Sequence, residues 1–201
     1  MHLSRRDLYK LTALGAAPVE LAACGQTSNL DTEGGEGGDE RPIISAVATE
    51  GTLTKNFNPH SPSVVHMIQG LIYETLFYFN PLEAIDQEPV PLLGESFEWN
   101  EDGTVLTVIT RSGVVWTDDT PFTAADVAFT FNKVRDTEAL NPGGTAPSAE
   151  AIDDTTVEIT YAEPSYTEGP NALSRTWIIP EHLFSDVDDL ATYANEEPVG
   201  T

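Results

Sequence analysis

The stretch Arg111-Ser112-Gly113-Val114-Val115-Trp116-Thr117-Asp118-Asp119-Thr120-Pro121-Phe122-Thr123-Ala124-Ala125-Asp126-Val127 decides how this chain folds. Val114-Val115-Trp116 is a short apolar run that reads as a buried strand, ended by the turn residues Thr117 to Pro121. Thr123 and Asp126 have capping-box spacing. The hydroxyl can accept from the Asp126 backbone N–H, and the carboxylate can answer while favouring the positive helix end. The helix so opened is expected to run to about Arg135, with Val127, Phe131 and Val134 as its inward stripe. Asp118 and Asp119 invite a catalytic reading. Neighbours on a strand or turn point apart, however, so a solvated turn is expected.

Working outward, Asn100-Glu101-Asp102-Gly103 separates Ser96–Trp99 from Thr104–Thr110, and Asp-Gly supplies the positive-φ turn of a hairpin. Phe97 and Trp99 are expected on one face, and Val105, Thr107 and Ile109 on another. Asp153-Asp154 centres a second hairpin of 149–152 with 156–161, in which Val157, Ile159 and Tyr161 alternate with polar residues. Ile178-Ile179-Pro180 precedes a short helical segment, Glu181–Phe184. Towards the N-terminus, Val64, Met67, Ile68, Leu71, Ile72 and Leu76 recur at helical spacing. They predict an amphipathic helix over 63–77, capped by Ser61 or Ser63 with Pro62 in its first turn. Phe77-Tyr78-Phe79 reads as core packing. Ile43–Ala48 reads as a buried strand followed by a loop, 49–59.

The chain has 201 residues, 33 acidic and 9 basic, for a net charge of −24. That balance excludes sequence-independent nucleic-acid binding, which needs cations to replace phosphate counterions. It equally excludes docking of the folded part on anionic lipid. A hydrophobic share of 40% is enough for a core. No apolar run reaches the ~20 residues of a bilayer span. Cys24 is the single cysteine, which leaves no partner for an intrachain disulfide. The histidines are scattered, no Cys/His cluster has metal-ligand spacing, and no phosphate-cradling glycine motif occurs. No metal or other cofactor is therefore expected, and no catalytic constellation is visible.

Residues 1–23 read as an address rather than as fold. Ser4-Arg5-Arg6-Asp7-Leu8-Tyr9-Lys10 is a twin-arginine pattern before a modestly apolar stretch. Leu21-Ala22-Ala23-Cys24 resembles a bacterial lipobox, which implies cleavage before Cys24 and a lipid on its thiol. Arg5 and Arg6 would carry the export signal. Glu20 departs from the usual apolar run. Residues 24–41 are glycine-rich and acidic. They cannot bury enough apolar surface to offset their ordering entropy, so a flexible tether is expected. Calcium binding by its carboxylates has no loop spacing behind it.

The stretch from Gly94 through Phe131, and above all 111–127, resembles the signature of the extracytoplasmic solute-binding proteins of family 5. These proteins serve ABC importers of oligopeptides, dipeptides, nickel and some oligosaccharides. Ile72-Tyr73-Glu74-Thr75-Leu76, Ile179-Pro180-Glu181-His182 and Pro198-Val199-Gly200-Thr201 are similar to further family segments, in family order. Asp118-Asp119 stands where the family has an acidic residue and a glycine. The resemblance covers about residues 43–201. It implies an α/β (mixed α+β) fold, periplasmic-binding-protein-like II, holding part of the first lobe and an inserted small domain of hairpins and helices.

The implied organisation is signal peptide 1–23, tether 24–41, start of lobe one 42–62, small domain 63–197 and a return to lobe one at 198–201. Family members are more than twice as long, so an N-terminal fragment is expected. The implied function is ligand capture, not catalysis. The ligand would be an oligopeptide or, alternatively, a cello-oligosaccharide-type sugar, and the partners would be ABC permease subunits. The only membrane contact would be a lipid on Cys24, at the outer face of the cell membrane. The loop after the first strand would face the ligand with Glu50, Gly51, Leu53, Asn56 and Asn58. The rival class, an exported enzyme, predicts a cofactor motif or a nucleophile with a positioned base. With a second lobe missing, little or no binding by this chain alone is expected.

Overall fold

The computed structural model describes residues 55–64, 69–80, 82 and 88–201. They belong to the unit Ser45–Thr201, which is described by itself here. The expected signal peptide, Cys24, the tether, the strand at 43–48, and Glu50, Gly51 and Leu53 lie outside the described residues.

Two strands, β1 (Phe77–Tyr78) and β2 (Val90–Pro91), pair antiparallel. They lead into β3 (Gly94–Trp99) and β4 (Val105–Thr110), the expected hairpin. Gly103 takes φ +67, which the turn requires. Asn100 braces the turn, its Oδ1 accepting from Thr104 N (2.9 Å) and Val105 N (3.0 Å). Trp99 stands opposite Leu106 and Phe97 opposite Val108, so these four share the core face. Val105, Thr107 and Ile109 occupy the other face and are half-buried.

Helix α1 (Ala124–Asp136) follows, and then β5 (Ser148–Ala151) and β6 (Thr156–Thr160) form the second hairpin. The sheet runs β3-β4-β6-β5, antiparallel throughout. Val127 and Phe131 of α1 pack with Leu106, Val108, Val157 and Ile159, all nearly free of solvent. Two short helices, α2 (Gly169–Arg175) and α3 (Glu181–Phe184), complete the elements. A smaller cluster of Val64, Tyr73, Ile179, Phe184 and Leu190 forms a second apolar centre. The result is the mixed α/β architecture expected.

Two local expectations are corrected, and one helix appears where none was expected. No helix forms over the described part of 63–77. Gly70 takes φ +82, Gln69 and Tyr73 form an isolated bridge, and turns lead into β1. The helical spacing was coincidental. Tyr73 serves the second cluster and Leu76 the main core, while Leu71 is exposed. A straight helix presents one stripe to one partner and cannot divide it in this way. Val114–Trp116 is no strand of the sheet either; it makes only an isolated bridge, Val115 to Pro121. Trp116 is buried in the main core and Val114 packs against it, while Val115 is exposed. Helix α2 was not foreseen, because Pro170 in its first turn was its only strong signal.

Candidate functional site

The expected ligand loop enters the described region at Lys55. Asn56 Oδ1 accepts from Asn58 N (3.0 Å), a local Asx turn that the Asn-x-Asn spacing permits. Asn56 Nδ2 donates to Ser61 Oγ and Ser63 Oγ, both at 3.0 Å. Asn58 Oδ1 accepts from His60 N (3.0 Å), and Asn58 Nδ2 donates to the carbonyls of Leu190 (2.6 Å) and Tyr193 (2.9 Å). Each amide nitrogen therefore has both hydrogens engaged inside the chain. Asn56 and Asn58 are buried, not presented to solvent. In this geometry they hold the path of the loop and retain no free donor for a ligand.

Further ties fix the same segment. Phe57 N donates to Asn195 O (2.8 Å), and Asn195 Nδ2 donates to the Tyr73 hydroxyl (2.6 Å). Burial pushes the Tyr73 phenol well above its ordinary range. His60 Nε2 lies 2.8 Å from the Trp177 carbonyl. A carbonyl only accepts, so Nε2 carries the proton. Burial pushes the His60 pKa down to about 4, partly opposed by that hydrogen bond, and the ring is neutral at pH 7. Nearby, Thr117 N donates to Gly200 O (2.8 Å), Gly200 N to Thr117 Oγ1 (3.1 Å) and Thr201 N to Ile72 O (3.2 Å). Residues 57–60 are thus tied to Trp177 and to 190–195, and residues 200–201 to Thr117 and Ile72. His60, Tyr73, Trp177 and Asn195 are the working residues that the sequence did not single out. Their partners lie more than a hundred residues away, and no local pattern encodes such pairings.

The signature stretch has its own centre. Asp126, buried on α1, accepts at Oδ2 from Thr123 N (3.0 Å) and the Trp116 indole (3.3 Å), and at Oδ1 from Glu181 N (2.9 Å). The capping box forms as expected, with the Thr123 hydroxyl accepting from Ala125 N (3.3 Å). Thr130 Oγ1 donates to Asp126 O (2.7 Å) and accepts from Ile179 N (3.1 Å), which joins α1 to the strand-like run before α3. Asp118 and Asp119 are exposed turn residues and form no catalytic pair. His182 Nε2 meets Asp118 Oδ2 at 2.8 Å, and this hydrogen bond holds the Asp118 carboxyl below its usual range. Among the described residues, no group of three or more His, Cys, Asp or Glu is placed to hold a metal ion. No described helix is long and apolar enough to cross a membrane.

A model of the bacterial extracellular solute-binding proteins, family 5 middle region, matches residues 88–201. The chain is 37% identical over 103 residues to a periplasmic alpha-galactoside-binding protein of Rhizobium meliloti, covering 46% of this chain and 15% of that one. It is 28% identical over 149 residues to the periplasmic oligopeptide-binding protein of Escherichia coli, covering 61% and 27% respectively. Among solved structures, a periplasmic oligopeptide-binding protein of Thermotoga maritima superposes with a TM-score of 0.63 at 31% identity, over 73% of this chain and 28% of that one. The same protein is also known with mannohexaose bound. The chain thus spans a third or less of the length of these proteins. They are substrate-binding proteins, not enzymes, and the fold is that of the periplasmic binding proteins of type II. On the signature built around Asp126 and on these matches, the chain belongs to the bacterial extracellular solute-binding proteins, family 5.

Proposed function

We propose that this chain captures oligopeptides outside the cytoplasm for an ABC importer, as part of a two-lobed binding protein. Family membership carries the reading. The fold is consistent with it, since Phe57 N donates to Asn195 O and so brings the two ends of the proposed insertion together. In this proposal 63–197 is the small domain, and 42–62 and 198–201 belong to lobe one. The loop 50–58 borders the ligand with Glu50, Gly51 and Leu53, and Asn56 and Asn58 form its fixed base. Residues 1–23 direct twin-arginine export through Arg5 and Arg6. A lipid on Cys24 anchors the protein to the outer face of the membrane, with 24–41 as spacer, and permease subunits receive the closed form.

One specific observation favours a second ligand class. The Rhizobium relative is named for an alpha-galactoside, and the Thermotoga neighbour has been solved with mannohexaose. An oligosaccharide is therefore the alternative cargo. The deciding experiment is calorimetry of the 201-residue chain, and of the product of any longer reading frame, against oligopeptides and cello-oligosaccharides. The short chain is expected to give no heat at micromolar ligand and the longer product to bind peptides. Binding of neither class by the longer product overturns the reading.

A further inference from the structure

The four-stranded sheet has two edges, and they are finished differently. At β5 the Asn132 amide pairs with both backbone groups of Ala149. At β3 the register shows what is left open. Asn100 N donates to Val105 O, and hydrogen-bonded pairs alternate along an antiparallel ladder. Glu98 and Thr107 therefore exchange hydrogen bonds, while Phe97 with Val108 and Trp99 with Leu106 do not. The N–H and C=O of Phe97 and of Trp99 point away from β4, along the outer edge. None of these groups has a hydrogen-bond partner among the described residues. Such an edge is a template for one more strand. The two aromatic side chains lie on the core face and are half-buried. On the opposite face Glu98, Thr107, Glu158 and Glu150 stand in one row across all four strands. No ion pair is recorded on the three carboxylates of that row among the described residues.

We propose that the β3 edge docks an extended peptide segment that carries a basic residue between two apolar ones, added antiparallel as a fifth strand. In that arrangement the residues opposite Phe97 and Trp99 exchange main-chain hydrogen bonds with them. Their side chains fall beside the two aromatic rings, which favours apolar and above all β-branched groups. The residue between them sits opposite Glu98, about 4.5 Å away between Cα atoms, and its side chain joins the acidic row. A Lys or Arg there meets an opposite charge, and an Asp or Glu a like one. The same row disfavours a second copy of this chain as the occupant. The register that pairs Phe97 of one copy with Trp99 of another sets the two Glu98 carboxylates face to face. From Lys55 onward the chain has 25 acidic and 5 basic residues, a field that draws in a cationic segment and repels a copy. The edge shares no residue with the loop at 50–58, so it stands or falls independently of the cargo assigned to that loop.

The test titrates the blocked peptide acetyl-Thr-Val-Arg-Val-Thr-amide into the 201-residue chain and follows its amide NMR spectrum. The Phe97 and Trp99 N–H resonances are expected to move downfield saturably at millimolar peptide, with Ala149 on the closed edge unmoved. The same peptide with Glu in place of Arg should bind about fivefold more weakly. Glu98→Lys, at an exposed position outside the core, should reverse that order. A peptide N-methylated at both valines lacks the donors that meet the Phe97 and Trp99 carbonyls and should shift neither resonance. Equal affinity for the Arg and Glu peptides overturns the proposal, as does undiminished binding of the N-methylated one. So does protection of the Phe97 and Trp99 amides from hydrogen exchange in the free chain, since the edge is then already paired; protection that grows with protein concentration would identify a second copy as the occupant. No saturable shift up to about 10 mM peptide overturns it too.

Discussion

Asp126 is a hinge of stability at the scale of one residue. Its carboxylate satisfies an indole N–H, the N–H of its own helix cap and the first N–H of α3. Asp126→Ala strands three donors inside the protein and is expected to cost about 3 kcal/mol, read as a lowered urea midpoint at unchanged slope. Asp119 offers the opposite case. It takes φ +68, in the left-handed region where a side chain collides with the backbone. Asp119→Gly is expected to stabilise by about 0.5 kcal/mol, after the extra freedom gained by the unfolded chain is set against the relieved collision. A melting temperature unchanged or lowered would remove that account of the turn.

At the scale of an element, β5 lies at the edge of the sheet and would expose unpaired backbone. Asn132 on α1 closes it. Its Nδ2 donates to Ala149 O (2.7 Å) and its Oδ1 accepts from Ala149 N (3.1 Å), as a neighbouring strand would. Asn132→Ala should cost about 2 kcal/mol and raise concentration-dependent association, seen by light scattering. The loop 55–61 is held by the neutral His60 ring in a similar way. Its folded pKa of about 4 lies below the ordinary 6.5, so the unfolded chain takes up the proton first. The stability it contributes is complete above pH 6.5 and is lost as pH falls towards 4. The ring is half-buried, and the expected loss is about 2 kcal/mol rather than the full difference. His60→Gln keeps a donor for Trp177 and should flatten this part of the pH–melting curve. Parallel curves for both proteins would exclude His60 as its source.

Charge acts at the scale of the whole molecule. From Lys55 onward the chain has 25 acidic and 5 basic residues. The ion pairs recorded among the described residues are Arg135 with Asp136 and His182 with Asp118. Self-repulsion is therefore largely uncompensated, and salt is expected to stabilise the fold by screening it. Raising KCl from about 0.1 M to about 1 M shortens the screening length from about 10 Å to about 3 Å and should raise the melting temperature by several degrees. A flat or falling response would show that the carboxylates are too well solvated to oppose folding.

Much of this was legible in the chain itself. Asp-Gly at 102–103, the alternation through Val157 and Ile159, and the Thr123/Asp126 box determined both hairpins and α1, because each is a contest between neighbours a few residues apart. The stretch 111–127 likewise carried the family. The tertiary structure alone decided what happens at 63–77, where an apolar period of the right spacing was divided between two clusters and a left-handed Gly70. It also decided that the amides of Asn56 and Asn58 are engaged inside the chain, since the carbonyls that accept from Asn58 arrive from Leu190 and Tyr193. A side chain's partners, or their absence, depend on which distant segments fold against it, and a linear pattern does not hold that information.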